Sequence, residues 1–293
     1  MDEPGFTSLS NSRVAIVGLG LMGGSLAMAL RGAQACREIV GVETNPAVLD
    51  FARARGVIDR AADFDVAALD CDLLILATPV RTILSQLLAL SQSPITNHPS
   101  PILLDLGSTK SQIISAMERL PPAFDPVGGH PMCGKETSGI AHAEAGLFRD
   151  KTFVLTPLAR TSPSALALAH GLVAAIGARP LMLSAERHDA LAAMSSHVPY
   201  VAAVALMKAA QSLDDEELWS LTASGFRDTS RLAASDVAMM TDILLTNRAP
   251  ILDALTRCRA EFDALMALID AGDPEALGAA LAPAQAGRAE LFK

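Results

Sequence analysis

The chain has 293 residues, with 32 acidic and 23 basic side chains and a formal net charge of −9. This acidic balance argues against a nucleic acid or an anionic membrane as the main partner, because both are bound through an excess of Lys and Arg. Hydrophobic residues make up 51% of the chain and charged residues 19%, which is typical of a globular protein and not of a disordered one. The length predicts about two domains of ordinary size.

The cysteines and the N-terminal residues bear on where the protein works. The four cysteines, at positions 36, 71, 133 and 258, include no CxxC pair and no metal-ligand spacing. This usage predicts reduced thiols in a cytoplasmic protein and no metal site. Residues 1–12 contain Asp2 and Glu3 and lack a basic region followed by an apolar one, so we expect no secretory signal. No uninterrupted apolar run reaches the ~20 residues of a membrane-spanning helix, and we expect no membrane segment.

The first part of the chain alternates short apolar runs with helical patterns. The apolar runs predict strands at 13–17, 39–42, 73–77, 102–106 and 152–155. Helical spacing of apolar residues covers 22–31, 46–55, 80–91 and 110–119. Nearly continuous apolar strands are typical of a parallel sheet that is covered on both faces. The alternation therefore predicts an α/β fold with a doubly wound parallel sheet over residues 1–183.

After about residue 183 the pattern becomes helical throughout. Apolar residues recur every three or four positions in segments 186–210, 228–233, 237–247, 250–270 and 274–292. Many of these positions are Ala, a strong helix former whose small side chain lets helices approach closely. Several of the helices are apolar on more than one face, which indicates burial in a bundle or against a second subunit. Residues 184–293 are therefore predicted to form an all-α domain.

The first predicted strand leads into a GxGxxG turn at Gly18, Gly20 and Gly23. In a Rossmann-type fold these glycines permit a tight turn, a close approach of the backbone to a pyrophosphate, and close packing of helix on strand. Glu43 ends the second strand twenty positions after Gly23. A carboxylate there accepts hydrogen bonds from ribose hydroxyls and repels a 2′-phosphate, which favours NAD over NADP. The alternative is a structural turn with Glu43 on a solvated surface.

A second contact with the dinucleotide is expected after the strand at 73–77. Thr78 and Pro79 follow that strand at its carboxyl end, although a proline turn that begins the next helix explains them equally well. The predicted cofactor-binding residues are Gly18, Gly20, Leu21, Met22, Gly23, Glu43, Thr78 and Pro79.

Two clusters that could carry chemistry follow other segments of the same sheet. Ser108 lies in the run DLGSTK and His130 in the run GGHPM. Ligands of open α/β sheets lie beyond the carboxyl ends of the strands, so both side chains should face one crevice with the nicotinamide. A neutral imidazole is suited to take the proton of an alcohol near pH 7, and a nearby hydroxyl can orient it. On the residues alone, a local structural role for His130 is an equal alternative.

The helical part contains cations that could recognise a carboxylate. Arg227 and Arg231 lie one helical turn apart. A guanidinium can clamp a carboxylate through two hydrogen bonds, and a surface salt bridge at a helix end is an equal alternative.

Taken in order, seven segments resemble the prephenate and arogenate dehydrogenases of tyrosine biosynthesis. They are GLGLMGGSLAMAL, GVETNP, ATPV, DLGSTK, GGHPMCGKETSG, SSHVPYVAAVAL and GFRDTSRLAASD. DLGSTK followed by GGHPM is far more specific than the glycine turn, and the resemblance runs from about Arg13 to the end of the chain. It implies NAD-dependent oxidative decarboxylation of prephenate to 4-hydroxyphenylpyruvate, with carbon dioxide and NADH as the other products. It also implies a homodimer that pairs through the helical domain.

The resemblance assigns roles to individual residues. It implies that His130 is the catalytic base and that Ser108 is its orienting partner. Arg231 is similar to the anchor for a substrate carboxylate, and His197 to a residue of the substrate pocket. Glu136 and Asp228 are similar to positions that gate the pocket in some members, with either subunit supplying Asp228.

Some residues depart from the family pattern. Met240 and Thr241 stand where relatives often carry a Trp, and Lys135 adds a cation where many relatives are neutral. The substrate preference therefore stays open, and an arogenate (cyclohexadienyl) dehydrogenase that makes tyrosine directly is the main alternative. A dehydrogenase that relies on a Lys of its helical domain is disfavoured, because Lys208 is the only Lys from 152 to 292 and lies in an apolar helix. A catalytically inactive dinucleotide-binding regulator would not need His130 or Ser108.

Overall fold

The structure is a computed structural model that describes residues 8–92, 101–135 and 137–291. By internal contacts the chain divides into two units, Met1–Asn247 and Arg248–Lys293. The predicted division at residues 183 and 184 follows the change from α/β to helical structure instead. It stays a prediction about domains, because two helices that follow residue 184 pack against helices that flank the sheet, within the first unit.

Eight strands form one sheet in the first unit, in the spatial order β3-β2-β1-β4-β5-β6-β7-β8. The strands are β1 (Arg13–Val17), β2 (Glu38–Val42), β3 (Arg60–Ala61), β4 (Leu73–Leu76), β5 (Ile102–Asp105), β6 (Asp125–Pro131), β7 (Thr152–Pro157) and β8 (Arg179–Met182). All neighbouring strands are parallel except β6 and β7, which are antiparallel. The order proceeds outward in both directions from β1 and β4, and this confirms the predicted doubly wound parallel sheet.

Helices cover both faces of this sheet. They are α1 (Leu21–Gly32), α2 (Pro46–Ala54), α3 (Phe64–Leu69), α4 (Val80–Ser91), α5 (Ser111–Met117) and α6 (Pro163–Ala175). Alternate side chains of β1 enter different cores: Val14 and Ile16 pack in one buried cluster, and Ala15 and Val17 in the other. Because both faces of the central strands β1, β4 and β5 are buried, these strands are apolar except at their ends.

The starts of several helices follow from local sequence. Asn45 and Ser162 each accept a hydrogen bond from a backbone N–H of the first turn, at the starts of α2 and α6. A proline follows each of them, at a position whose N–H would have no acceptor within the helix. These two features determine where α2 and α6 begin.

Beyond β8 the described chain, up to residue 291, is helical, which confirms the predicted all-α region. One long helix contains α7 (Ala185–Ala192), a π-helical turn (Ala193–His197) and α8 (Val198–Gln211). The first unit continues with α9 (Glu216–Leu221), α10 (Ser224–Ser230) and α11 (Val237–Thr246). The second unit consists of α12 (Arg248–Ala271) and α13 (Pro274–Leu291), which pack against each other.

The long helix Ala185–Gln211 is long and apolar enough to cross a membrane by length and composition alone. It nevertheless carries three buried polar side chains, His188, Asp189 and His197. These side chains make hydrogen bonds with β6, with the start of α5 and with the end of α11. The helix is therefore a structural part of the first unit.

Candidate active site

The glycine turn after β1 has the geometry of a phosphate-binding turn. Gly18 has a φ of +91°, a conformation that residues with a Cβ rarely adopt. A Cβ on Gly23 would lie 1.9 Å from the carbonyl oxygen of Gly18, whereas no atom lies within 4 Å of a Cβ on Gly20. The backbone is thus closely packed at Gly23 and open at Gly20. Leu21 and Met22 begin α1, and N–H groups in a first helical turn have no acceptor within the helix.

Glu43 is held beside this turn at the end of β2. Its Oε2 accepts a hydrogen bond from the backbone N–H of Leu19 at 3.1 Å, and its Oε1 accepts from those of Thr44 at 2.8 Å and Asn45 at 3.1 Å. The carboxylate is half-buried, and acceptor capacity remains on Oε2. It is therefore fixed in place and can accept a hydrogen bond from a ribose hydroxyl.

These residues fit NAD. The open space at Gly20 and the start of α1 can receive a pyrophosphate, and the Glu43 carboxylate suits a ribose with a free 2′-hydroxyl. Thr78 and Pro79 serve the local fold: the Thr78 hydroxyl bonds Oε1 of Gln86 at 3.0 Å, and Pro79 directly precedes α4. Their contact with the cofactor stays a prediction.

Glu43 provides a direct test of cofactor selection. Replacement of Glu43 by Ser should raise the KM for NAD and increase the ratio of kcat/KM for NADP to that for NAD, because the carboxylate that repels a 2′-phosphate is gone. We expect a shift of at least ~10-fold, which corresponds to about 1.4 kcal/mol. Steady-state kinetics with both cofactors measures it. An unchanged ratio would show that Glu43 does not contact the ribose.

A buried ion pair joins the ends of β5 and β6. Asp105 and Lys110 contact each other, and neither side chain is exposed to solvent. Lys110 Nζ also donates to the carbonyl of Gly129 at 2.7 Å, and Asp105 accepts from the N–H of Gly129 at 3.0 Å and from that of Gly107 at 2.7 Å. Burial lowers the pKa of Lys110, and the Asp105 carboxylate opposes that shift. The pair therefore holds both polar backbone groups of the residue that precedes His130.

His130 lies near the carboxyl end of β6, and its side chain contacts a second histidine. Its Nδ1 lies 2.8 Å from Nε2 of His188, and Nδ1 of His188 lies 2.8 Å from Oδ1 of Asp189. The His188 and Asp189 side chains are 2% and 1% exposed, whereas His130 is partly exposed. Burial, together with His188 and Lys110, lowers the pKa of His130 well below its usual range. The ring is therefore neutral near pH 7 and can act as a base.

His197 is buried on the same long helix. Its Nδ1 lies 3.1 Å from Nδ2 of Asn247, which also donates to the carbonyl of Asp189 at 2.9 Å. Because the amide nitrogen can only donate, Nδ1 of His197 accepts and its Nε2 carries the hydrogen. Burial lowers the pKa of His197 to about 4. His197 is therefore a neutral hydrogen-bond donor at pH 7.

The π-helical turn explains how His188 and His197 join one site. They are nine positions apart, about two and a half turns of an ideal α-helix, which would place them on opposite sides. The π-helical turn Ala193–His197 lies between them and widens the helix by its i→i+5 hydrogen bonds. The wider turn rotates His197 back towards Asp189, where Asn247 bridges the two residues.

The other predicted site residues lie as follows. Ser108 is partly exposed in the loop after β5, and in the described part of the chain its hydroxyl makes no hydrogen bond with another protein group. Its pairing with His130 stays a prediction, since the structure gives Nδ1 of His130 a different partner, His188.

Arg231 is exposed and directly follows α10, on a segment that packs against α8. Asp228 is exposed and lies 3.7 Å from Arg227. Glu136 lies outside the described residues.

His188 and Asp189 have no role predicted from the sequence. The available signal was weak: a His-Asp pair at the start of the first helix after the sheet. Their importance depends on contacts with β6 and α5, which lie 58 and 79 positions away in the chain.

The glycine turn and His130 lie at the same edge of the sheet, because β1, β4, β5 and β6 all run in the same direction. A dinucleotide-binding turn that shares this edge with a neutral, partly exposed imidazole can support the removal of a hydride and a proton from one alcohol. This fold and site define the protein as an NAD-dependent oxidoreductase.

Comparisons with known proteins give the family. Residues 26–182 match the model of the prephenate dehydrogenase nucleotide-binding domain, and residues 184–283 match that of the prephenate dehydrogenase dimerization domain. The chain therefore belongs to the prephenate dehydrogenase family, which confirms the resemblance seen in the sequence motifs. Both the family model and a solved relative with NAD+ bound confirm NAD as the cofactor.

Individual relatives agree over most of the chain. The chain is 34% identical to prephenate dehydrogenase of Bacillus subtilis over 270 residues, which are 90% of this chain and 72% of the relative. It is 31% identical to cyclohexadienyl dehydrogenase of Zymomonas mobilis, over 90% of each chain. The crystal structure of prephenate dehydrogenase from Aquifex aeolicus in complex with hydroxyphenyl propionate and NAD+ is similar with a TM-score of 0.89 and 31% identity. That similarity covers 97% of this chain and 100% of the other.

Proposed function

We propose that the protein oxidises prephenate with NAD and releases 4-hydroxyphenylpyruvate, carbon dioxide and NADH, as a step in tyrosine biosynthesis. The observation that carries this proposal is His130, a neutral base at the edge of the sheet where the cofactor binds, in a chain of the prephenate dehydrogenase family. A regulator without catalytic activity would have no use for an imidazole held in this way by a second, buried histidine.

The chemistry requires few groups from the protein. Bound NAD supplies the acceptor for the hydride that leaves the carbon bearing the ring hydroxyl. His130 takes the hydroxyl proton, and the C–O bond becomes a carbonyl. The bond to the ring carboxylate then breaks to release carbon dioxide, and its electrons pass through the ring to the carbonyl oxygen. That oxygen takes the proton back from His130, so the product is a phenol and no net proton is released.

Aromatisation makes this sequence effectively irreversible, so the protein mainly has to align the substrate with the base. Prephenate is a dianion and the chain has a net charge of −9, so binding depends on a few local groups. We infer that Arg231 anchors a carboxylate and that His197 donates a hydrogen bond from Nε2. Ser108 offers a hydroxyl near the same edge, and we propose that it helps His130 to hold the ring hydroxyl. We assign the gating role to Glu136 and Asp228 from the sequence motif alone.

We infer a homodimer that works in the cytoplasm. Residues 184–283 match a dimerization domain. Large apolar side chains are exposed in this part of the chain, among them Leu213, Trp219, Leu221, Val237, Leu245, Phe262, Met266 and Ile269.

The four cysteines are free thiols, which fits a reducing compartment. The acidic charge does not suit a nucleic-acid or membrane partner. The two family models meet at residues 182 and 184, which supports the predicted domain boundary.

Arogenate is the alternative substrate, and it carries an amino acid side chain in place of the pyruvyl group. The similarity to a cyclohexadienyl dehydrogenase over 90% of both chains favours it as a second candidate. Lys135, the cation that departs from the family pattern, forms an ion pair with Glu144 at 2.8 Å, and Met240 is buried. The Lys135 charge is therefore paired and Met240 carries none, so neither residue offers an unpaired charge that would distinguish the two substrates.

Initial rates with prephenate and arogenate, each with NAD and with NADP, test the function. We expect the highest kcat/KM with prephenate and NAD, at least ~10-fold above the NADP value, because the Glu43 carboxylate opposes a 2′-phosphate. A higher kcat/KM with arogenate would give the function to the alternative. An enzyme inactive with both substrates and both cofactors would contradict both candidates.

A further inference from the structure

We propose that His188 and Asp189 are positioning residues for His130, and that they hold its ring in the tautomer that presents a free Nε2 to the substrate. This inference rests on the proposed function in one respect: the reaction needs a base at His130. It assigns a task to two buried side chains that the proposed reaction does not otherwise use.

The direction of each hydrogen bond follows from Asp189. Its carboxylate accepts from the backbone N–H of Lys110 at 2.7 Å, from that of Ser111 at 2.8 Å, and from His188. Burial raises the pKa of Asp189, but the hydrogen bonds from His188 and Ser111 outweigh it and the pKa falls below its usual range. Asp189 is therefore ionised and can only accept, so Nδ1 of His188 donates.

The tautomer of His130 follows in the next step. Nε2 of His188 and Nδ1 of His130 are 2.8 Å apart, so they share a single hydrogen. A neutral imidazole has one ring hydrogen, and Asp189 takes a hydrogen bond from Nδ1 of His188. A neutral His188 that donates from Nδ1 accepts at Nε2. The shared hydrogen then belongs to Nδ1 of His130, which leaves the lone pair on Nε2.

The same contacts fix the position of the ring. The backbone of Gly129 is held from one side by the Asp105 and Lys110 pair, and the His130 ring is held from the other side by His188. Asp189 connects α7 to the first residues of α5. The base is therefore supported both by the sheet and by the long helix Ala185–Gln211 that contains α7. When His130 takes the substrate proton, Nδ1–H stays bonded to His188, and the Asp189 carboxylate lies one ring beyond the new positive charge. A third group that orients a catalytic imidazole acts in this way in other enzymes.

Two substitutions of His188 separate this role from a merely structural one. In His188→Leu the ring is replaced by a side chain without an acceptor, so His130 is free to take the other tautomer. In His188→Gln the amide oxygen can occupy the place of Nε2 and accept from His130. We expect His188→Leu to lower kcat by ~10²-fold or more with little change in KM, and His188→Gln to recover at least ~10-fold of that loss. His170→Leu, on α6 and outside the site, is the matched control and should keep full activity.

A spectroscopic measurement tests the tautomer without turnover. The chain contains six histidines, so the imidazole nitrogens of the full-length protein labelled with ¹⁵N-histidine can be assigned with single variants. In the NAD-bound enzyme without substrate we expect His130 to carry its hydrogen on Nδ1. In His188→Leu we expect a mixture of both tautomers, and in His188→Gln the Nδ1–H form.

Several results would overturn the inference. One is a wild-type His130 with its hydrogen on Nε2; another is an unchanged kcat in His188→Leu. A rise in KM alone, equal in the Leu and Gln variants, would mean that His188 only supports the fold. If His188→Leu does not fold, the tautomer of His130 in the wild-type protein and in His188→Gln still tests the inference. If the enzyme prefers arogenate but His130 has the expected tautomer, the positioning role stands and only the substrate proposal fails.

Discussion

His130→Asn will lower kcat by ~10²-fold or more, while the affinity for NAD stays unchanged, because the variant removes the general base and leaves the cofactor turn untouched. The asparagine amide can occupy the place of Nδ1 and donate to His188, so the hydrogen-bonded chain to Asp189 is kept. What is lost is Nε2, the ring nitrogen that makes no hydrogen bond with the part of the protein that the structure describes. The loss should therefore appear in kcat and not in folding.

Rapid mixing of enzyme, NAD and prephenate measures the hydride transfer directly through NADH absorbance, and fluorescence titration measures NAD binding. His170→Asn serves as the control for the loss of an imidazole outside the site. A variant that turns over at the wild-type rate would remove His130 from the mechanism. Loss of NAD binding would show instead that the substitution disturbs the cofactor site.

The parts of the site that could be predicted from sequence are those whose residues lie close together in the chain. The turn at Gly18, Gly20 and Gly23 needs only a strand, three glycines and a helix within a short segment, and Glu43 follows one strand later. Local backbone geometry determines such a feature, so its residue pattern is informative. The alternation of strands and helices is local in the same sense, and it predicted the doubly wound sheet.

The support of His130 could not be predicted, because it depends on packing between distant segments. His188 is 58 positions from His130 in the chain. Asp189 is 79 positions from Lys110, whose backbone N–H donates a hydrogen bond to the Asp189 carboxylate. Helical periodicity also misplaces His197, since the π-helical turn changes the face on which it lies. The motif DLGSTK directed attention to Ser108, whereas its buried members Asp105 and Lys110 make the ion pair. A lysine in a polar run has no signal that distinguishes a buried partner of Asp from a solvated side chain.

Lys110→Met will lower the free energy of unfolding by about 3–5 kcal/mol, because it leaves the buried Asp105 carboxylate without its counter-charge. The hydrogen bonds from Gly107 and Gly129 satisfy part of the carboxylate but do not neutralise it. Because Lys110 also holds the carbonyl of Gly129, kcat should fall even where the protein is folded. Urea unfolding at a fixed protein concentration measures the first effect, and assays at a temperature well below the unfolding midpoint measure the second.

A second substitution distinguishes the charge from the shape of the side chain. Asp105→Asn in the Lys110→Met background removes the uncompensated charge, and its amide oxygen can still accept from a backbone N–H. We therefore expect the double variant to recover part of the lost stability. Lys151→Met, at an exposed lysine directly before β7, should change stability by no more than about 0.5 kcal/mol. If Lys110→Met is as stable as this control, the buried pair does not hold the strand that carries His130. If stability is lost but not regained in the double variant, packing around Lys110 determines the effect and the charge does not.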